Sequence, residues 1–274
     1  MKNKIHVAQI GVGYWGPNLL RNLISDKRCQ ISAVVDFSKE RRSFVNSLYP
    51  DLYTTEDINE VINNKQIDAI VIATPVSTHF ELALKALNSG KHVLVEKPMA
   101  TKSKEVLQIG EIAKQKKLIA MVGHTFLFNS AVRYVKSLID SGDLGDIRYI
   151  YSQRVNLGRI RNDVDALWNL APHDVSIIQY WLNESEPLNV SSKGMGYVQD
   201  GIRDVAFLNI EYANKIFANI HVSWLDPHKI RRMTVVGSKK MIVYDDIAEN
   251  KIVIYDKGID RMAVLGENMD FDKP

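Results

Sequence analysis

The run Gly11-Val12-Gly13-Tyr14-Trp15-Gly16 constrains this chain most: three glycines at fixed spacing stand between an apolar, strand-like stretch, Ile5–Ile10, and a helical pattern that begins after Pro17. In such a place the first glycine permits a sharp turn. The second lets backbone N–H groups approach a bound anion, and the third lets the helix pack closely on the strand. Pro17 suits the first helical turn, where its missing N–H costs nothing. Glycine turns also occur in other α/β folds, so the motif needs a second signal. Asp36 supplies it. This carboxylate closes the stretch Val34-Val35-Asp36 about 20 positions past Gly16, the separation at which an acidic residue reaches the ribose hydroxyls of an adenine dinucleotide. A carboxylate there repels a 2′-phosphate and favours NAD over NADP. Ser38, Arg41 and Arg42 are the nearby groups able to act the other way.

The same rhythm continues. Ile5–Ile10, Ile31–Asp36, Ala69–Ala73, His92–Glu96 and Ile119–Gly123 read as short strands, separated by helical spacing over Asn18–Ser25, Lys39–Leu48, Thr55–Asn63, His79–Ser89 and Lys102–Gln115. Thr55-Glu56-Asp57 and Thr101-Lys102-Ser103-Lys104-Glu105 offer caps for two of these helices. Strands joined through helices run parallel, so residues 1–124 are expected to form a mostly parallel, doubly wound α/β sheet of the Rossmann type. After Asn129 the pattern changes. One helix, Ser130–Ser141, and another from about Pro172 to Leu182 accompany β-like segments at Ile147–Leu157, Leu188–Val198, Arg203–Tyr212, Lys215–Trp224, Ile230–Val236, Lys240–Asp245 and Lys251–Tyr255. Ala213-Asn214 reads as a tight hairpin turn. Residues 125–274 are therefore expected to be an α+β domain with an open, mostly antiparallel sheet.

Composition narrows the partners. Thirty-five basic residues against 32 acidic ones leave a net charge of +3, too small and scattered for nucleic acid as the main partner. Cys29 is the single cysteine, no Cys/His cluster has metal-ligand spacing, and no apolar run reaches the length of a membrane span. Gln9 interrupts the one stretch that imitates a signal peptide. The expectation is a cytoplasmic enzyme with no metal, membrane or nucleic-acid partner.

Four motifs occur in order: the glycine run, Ala73-Thr74-Pro75-Val76-Ser77-Thr78-His79, Glu96-Lys97-Pro98, and Ala171-Pro172-His173-Asp174. With them the chain resembles the Gfo/Idh/MocA oxidoreductases over essentially its whole length. The resemblance implies a nicotinamide cofactor, NAD rather than NADP, held by Gly11, Gly13, Tyr14, Trp15, Gly16, Asp36, Thr74, Pro75, His79, Glu96 and Lys97. It also implies a cis peptide before Pro98, and oligomerisation, as a dimer or tetramer, through the C-terminal sheet. His173 is implied as hydrogen-bond partner or proton acceptor of a substrate hydroxyl.

The chemistry can be argued from the residues. Oxidising a secondary alcohol moves a hydride to the nicotinamide and requires a base for the hydroxyl proton. Lys97 follows the strand His92–Glu96 and so falls at the sheet's carboxyl edge, where ligands of such sheets bind. A free lysine titrates near 10.4, and burial beside a positive ring makes it a better base. Glu96 stands ready to orient Lys97 or the cofactor, and Asp174 to cap its helix. Many members of the family carry Asp where this chain has Asn169, and an amide takes no proton; Asp165 is the nearby carboxylate able to substitute.

The segment from Gln153 to Asn169 resembles the corresponding stretch of the family's nucleotide-sugar 3-dehydrogenases, which act on UDP-N-acetylglucosamine or its uronic acid. Arg154, Arg159 and Arg161 suit a diphosphate or carboxylate, and Asn156, Trp168, Asn169 and His173 suit the sugar. The expected reaction is hydride transfer at a secondary alcohol of a sugar or nucleotide sugar, at C3. The alternatives are a sugar-nucleotide ketoreductase running in reverse and an NAD-binding regulatory protein without catalysis. Relatives usually continue beyond the equivalent of Pro274, so a truncated form or short variant is also expected.

Overall fold

The computed structural model describes residues 4–158 and 160–258; Arg159 and the end of the chain, on which the truncation expectation rests, lie outside them. The chain divides at His124/Thr125 into two compact units. The first runs β1 (Ile5–Ile10), α1 (Gly16–Ser25), β2 (Cys29–Val35), α2 (Lys39–Leu48), β3 (Thr54–Thr55), α3 (Ile58–Ile62), β4 (Ala69–Ile72), α4 (His79–Asn88), β5 (His92–Val95), α5 (Ser103–Lys116) and β6 (Ala120–Val122). Its six strands are all parallel, in the order β3-β2-β1-β4-β5-β6. Strand order therefore reverses between β1 and β4, which opens a crevice beyond their carboxyl ends.

Two apolar layers hold this sheet. Ala8, Ile10, Ile70 and Ile72 pack with Ala83, Leu87 and Ile109 in one, and Val12, Leu20, Val34 and Val45 form the other. Asp57 caps α3 by accepting the Asn59 N–H, as its position suggests. The cap expected at Thr101–Glu105 is not made: α5 starts at Ser103 after Lys102, with no side-chain cap bond. The strand β3 is also a departure, since Thr54 and Thr55 pair with Val34 and Val35 where a helical pattern was expected to begin. Two residues are too few to show a period.

The second unit runs α6 (Ser130–Asp140), β7 (Ile147–Leu157), α7 (Ala166–Trp181), β8 (Pro187–Met195), β9 (Val205–Tyr212), β10 (Phe217–Ser223), β11 (Leu225–Gly237), β12 (Met241–Asp245) and β13 (Ile252–Tyr255). The sheet order is β13-β12-β11-β7-β10-β9-β8, antiparallel except for the pair β7 and β10. Asn214 turns the β9–β10 connection at φ 60°, a conformation asparagine tolerates. The helix expected from Pro172 instead begins at Ala166, because Asp165 accepts the Trp168 N–H at 2.9 Å and starts it there. Pro172 is carried inside, where it removes one helical N–H.

Residues from α7, including Ile177, Ile178 and Trp181, share a core with Ala206, Leu208, Ala218, Ile220 and Val222, which alternate along β9 and β10. The Trp181 indole donates to the Val132 carbonyl of α6 at 2.9 Å. The opposite face of the sheet carries Phe217 paired with Tyr149, and His221 paired with Phe207, whose rings stack at 4.3 Å. Among the described residues, no helix is long and apolar enough to cross a membrane.

Candidate active site

In the first unit the glycine turn is fixed by close backbone contact. Gly11 adopts φ +93°, and a Cβ there would stand 2.6 Å from the Ala73 carbonyl oxygen. A Cβ on Gly16 would stand 2.5 Å from the Gly11 carbonyl oxygen. Gln9, fully buried, donates its amide to the carbonyls of Gly11 at 2.9 Å and Gly16 at 2.8 Å, tying both ends of the turn. Gly13 differs: a Cβ there meets nothing within 4 Å, so its missing side chain leaves open space. The N-terminus of α1 has no side-chain cap bond; Pro17 has no N–H, and the Asn18 N–H donates to the Trp15 carbonyl at 3.0 Å.

Asp36 accepts the Val12 N–H at 2.8 Å through one oxygen and the Ser38 N–H at 2.9 Å through the other. Each carboxylate oxygen keeps an acceptor position for a hydroxyl. Arg42 donates to the Asp36 and Phe37 carbonyls at 2.8 and 3.0 Å and to Glu56 at 2.8 Å, so its guanidinium is committed within the protein. A dinucleotide without a 2′-phosphate fits these donors and acceptors. Tyr14 and Trp15 are exposed beside the turn.

The loops after β4, β5 and β6 line the same edge. Thr74 approaches the Gly11 position, and its hydroxyl lies 2.7 Å from that of Thr78, which donates to the Pro75 carbonyl at 2.8 Å. His79, expected to touch the cofactor, is only 2% exposed. Its two ring nitrogens lie 2.8 Å from the Pro98 carbonyl oxygen and 2.9 Å from that of Thr74, so it joins two loops. The peptide before Pro98 is cis. Glu96 accepts the Lys97 N–H at 3.2 Å. Burial pushes the Glu96 carboxyl up, against the pull of Lys97 and a hydrogen bond with Trp15.

His124, just past β6, was not singled out from the sequence. Burial, and then the charge of Lys97, push its imidazole below the usual histidine range, and its Nδ1 is buried without a hydrogen-bond partner. The preceding Gly123 lets β6 close on β5: a Cβ there would lie 3.0 Å from Glu96 Oε1. A histidine after a short strand carries no local signal; only parallel pairing of β5 with β6 brings it towards Lys97.

In the second unit His173 lies on α7, and its ring meets Phe126 edge-on. Asn169, one turn earlier, accepts the indole N–H of buried Trp224 at 3.3 Å. Trp168 is exposed. Three sequence expectations are corrected here. Arg154, expected on substrate, is 5% exposed and donates to both oxygens of Asp174, at 2.7 and 3.2 Å. It alternates inward on β7 with Ile150 and Ser152. Asp174 is accordingly a buried ion-pair partner in mid-helix, not a cap. Asp165 is the cap of α7 and pairs with Arg203 at 3.1 Å, so it is no stand-in for a carboxylate at position 169. Arg161 pairs with neighbouring Asp163 at 2.7 and 2.5 Å, and Asn156 folds over Gly158, where a Cβ would lie 2.5 Å from its Nδ2.

Comparison with known proteins agrees with this architecture. Residues 5–124 match the oxidoreductase family with an NAD-binding Rossmann fold, and residues 132–243 match the Gfo/Idh/MocA C-terminal domain. The chain is 27% identical to scyllo-inositol 2-dehydrogenase (NAD(+)) of Bacillus subtilis, over 93% of this chain and 78% of that one. It is 28% identical to UDP-N-acetylglucosamine 3-dehydrogenase of Acidithiobacillus ferrooxidans, over 70% of this chain and 60% of that one. A solved structure of that enzyme superposes with a TM-score of 0.82 at 25% identity, over 92% of this chain and 80% of that one. A putative oxidoreductase from Magnetospirillum magnetotacticum superposes with a TM-score of 0.84 at 28% identity, over 96% and 84%. The chain spans 58%, 60% and 52% of the lengths of three further curated relatives.

The two glycines separate folding from binding. Gly11→Ala is expected to cost about 1–3 kcal/mol through strain, read as a lower Tm, whereas Gly13→Val keeps Tm and weakens NADH binding by at least about tenfold. Unchanged NADH affinity in Gly13→Val would place the dinucleotide elsewhere. His124 gives a pH test. A histidine held below its solution value of 6.5 gives up proton affinity on folding, so its contribution to stability is complete above about pH 7 and is lost as pH falls. Burial of His221 acts in the same direction, so the wild-type Tm should fall on acidification and His124→Gln should fall less steeply. Equal slopes would mean His124 is not held neutral.

Proposed function

The chain belongs to the Gfo/Idh/MocA oxidoreductase family, and from that premise we propose that it is an NAD-dependent dehydrogenase acting on a secondary alcohol of a sugar or nucleotide sugar, at the C3 hydroxyl. The observation that carries this reading is the position of Lys97 directly after β5, on the carboxyl edge that also holds the open space at Gly13 and the carboxylate of Asp36. A nicotinamide dinucleotide bound there would supply the hydride acceptor in oxidation and the hydride donor in reduction. Lys97 takes the hydroxyl proton in oxidation and returns it in reduction, so the same residues serve a ketoreductase running in reverse.

His173 hydrogen-bonds the reacting hydroxyl, and Asn169, four residues earlier on α7, shares its helix face. The exposed indole of Trp168 offers the sugar an apolar surface. The curated relative that oxidises UDP-N-acetylglucosamine at position 3 supports a nucleotide sugar, and the inositol dehydrogenase supports the broader class of cyclic polyols.

A second copy of the chain covers the open face of the C-terminal sheet. Tyr149, Phe207, Phe217 and Tyr255 are 47%, 44%, 39% and 45% exposed on strands of that sheet, and side chains of this size left to water favour association.

A panel of sugar nucleotides and free polyols, followed by NADH absorbance, should show turnover with at least one member. In Lys97→Ala, NADH affinity is expected to stay within about twofold while turnover drops about 10²–10⁴-fold; equal turnover in the two proteins would remove Lys97 from the reaction. Sedimentation of the wild type should give a dimer or tetramer and Phe217→Glu a smaller species. A monomeric wild type would reject the interface.

A further inference from the structure

Within the second unit, the contacts around His173 close on themselves. The ring of Phe126 meets the His173 imidazole edge-on, centroids 5.1 Å apart and planes at 67°. The Arg154 guanidinium lies against the same phenyl ring, 4.8 Å from its centroid. Arg154 is in turn held by Asp174, from Nε to Oδ2 at 2.7 Å and from Nη2 to Oδ1 at 3.2 Å, and Ser152 donates its hydroxyl to Oδ1 at 2.9 Å. Asp174 is the neighbour of His173 on α7. A path from His173 through Phe126, Arg154 and Asp174 thus returns to His173 through one peptide unit.

Filling space does not explain this arrangement. Arg154, Asp174 and Ser152 are 5%, 1% and 0% exposed, and moving a charge pair out of water costs more than burying apolar side chains of similar size. Charge and shape here supply direction instead. A guanidinium fork on a carboxylate fixes its plane, a cation against a ring fixes the ring, and an edge-to-face contact fixes the second ring. The two ends of the path lie on one helix, so α7 and the imidazole it carries are held by the same pair.

The geometry points to Phe126 and the Arg154–Asp174 pair as positioning residues that set the plane of the His173 imidazole for the substrate hydroxyl. This rests on the reading of His173 given above, in which its ring receives that hydroxyl. None of the three touches the reacting atoms in this scheme; they act through His173.

The test compares Phe126→Leu, Phe126→Tyr and Arg154→Lys in the full chain. His173 proton resonances are assigned by their loss in His173→Gln, and kcat, KM and NADH affinity are measured alongside. In Phe126→Leu the His173 ring protons should lose the ring-current shift of the phenyl group, and kcat should fall about 10–100-fold with NADH affinity unchanged and KM within about threefold. Phe126→Tyr retains the ring and should keep both the shift and the rate. Arg154→Lys keeps the charge but not the fork and should give an intermediate kcat, a result that stands even if Phe126→Leu folds poorly. Wild-type kcat in folded Phe126→Leu or in Arg154→Lys, with His173→Gln inactive, would overturn the positioning role. Full activity in His173→Gln would instead sink the reading of His173 itself, while the ring-current shift would still report whether Phe126 orients the imidazole.

Discussion

The first unit depends on how closely backbone can approach backbone along the carboxyl edge of its parallel sheet. Neighbouring strands lie about 4.8 Å apart, and where one loop leaving the edge crosses closely over its neighbour there is no room for a side chain. Gly11 solves this between β1 and β4, while Gly123 makes room for the Glu96 carboxylate between β5 and β6. Between them His79 joins the loop after β4 to the loop after β5 through the Thr74 and Pro98 carbonyls. Asp36 ties the end of β2 to the turn after β1. From β2 to β6 the edge is therefore one connected set of loops. Groups as far apart in sequence as Asp36, Lys97 and His124 inherit positions from it.

The second unit fixes His173 by other means. Its sheet is mostly antiparallel and one face carries exposed aromatic side chains, so helix α7, which carries His173, is held from below by the core and from within by charge. The Arg154–Asp174 pair spans β7 and α7 in the interior. Removing one partner would leave the other charged and unpaired, which typically costs about 3–5 kcal/mol. That penalty disfavours other registers of the helix on the sheet more strongly than apolar packing alone, because apolar contacts can be remade after a small slide and this pair cannot.

Which features could be read from the sequence follows from the range of the interactions behind them. The glycine turn, Asp36, the strands of both units and the Asn214 turn rest on period and on local backbone preference, and the structure contains them. Arg154 was misread because its partner is 20 residues away on another element; only its alternation with Ile150 and Ser152 hinted that it points inward. The start of α7 was misread because Pro172 is the more familiar signal, while Asp165 is the one that caps the helix. The roles of Gln9 and His124 were invisible for the same reason as Arg154. Each is defined by what tertiary pairing brings to it, the two ends of the glycine turn in one case and the charge of Lys97 in the other.

Asn169 bears on how the proposed chemistry is shared. A carboxylate at that position would sit one turn from His173 and favour a charged imidazole. Here the amide oxygen accepts the Trp224 indole, and the flanking carboxylates of α7 are committed, Asp165 to the helix start and Arg203, Asp174 to Arg154. In the reading proposed above, His173 orients the substrate hydroxyl. Two titratable groups, Glu96 and His124, feel the charge of Lys97. Burial pushes the Glu96 carboxyl up and, with the charge of Lys97 second, pushes the His124 imidazole down. In the proposed scheme proton transfer is assigned to Lys97 and alignment to His173, a division that a carboxylate at position 169 would blur.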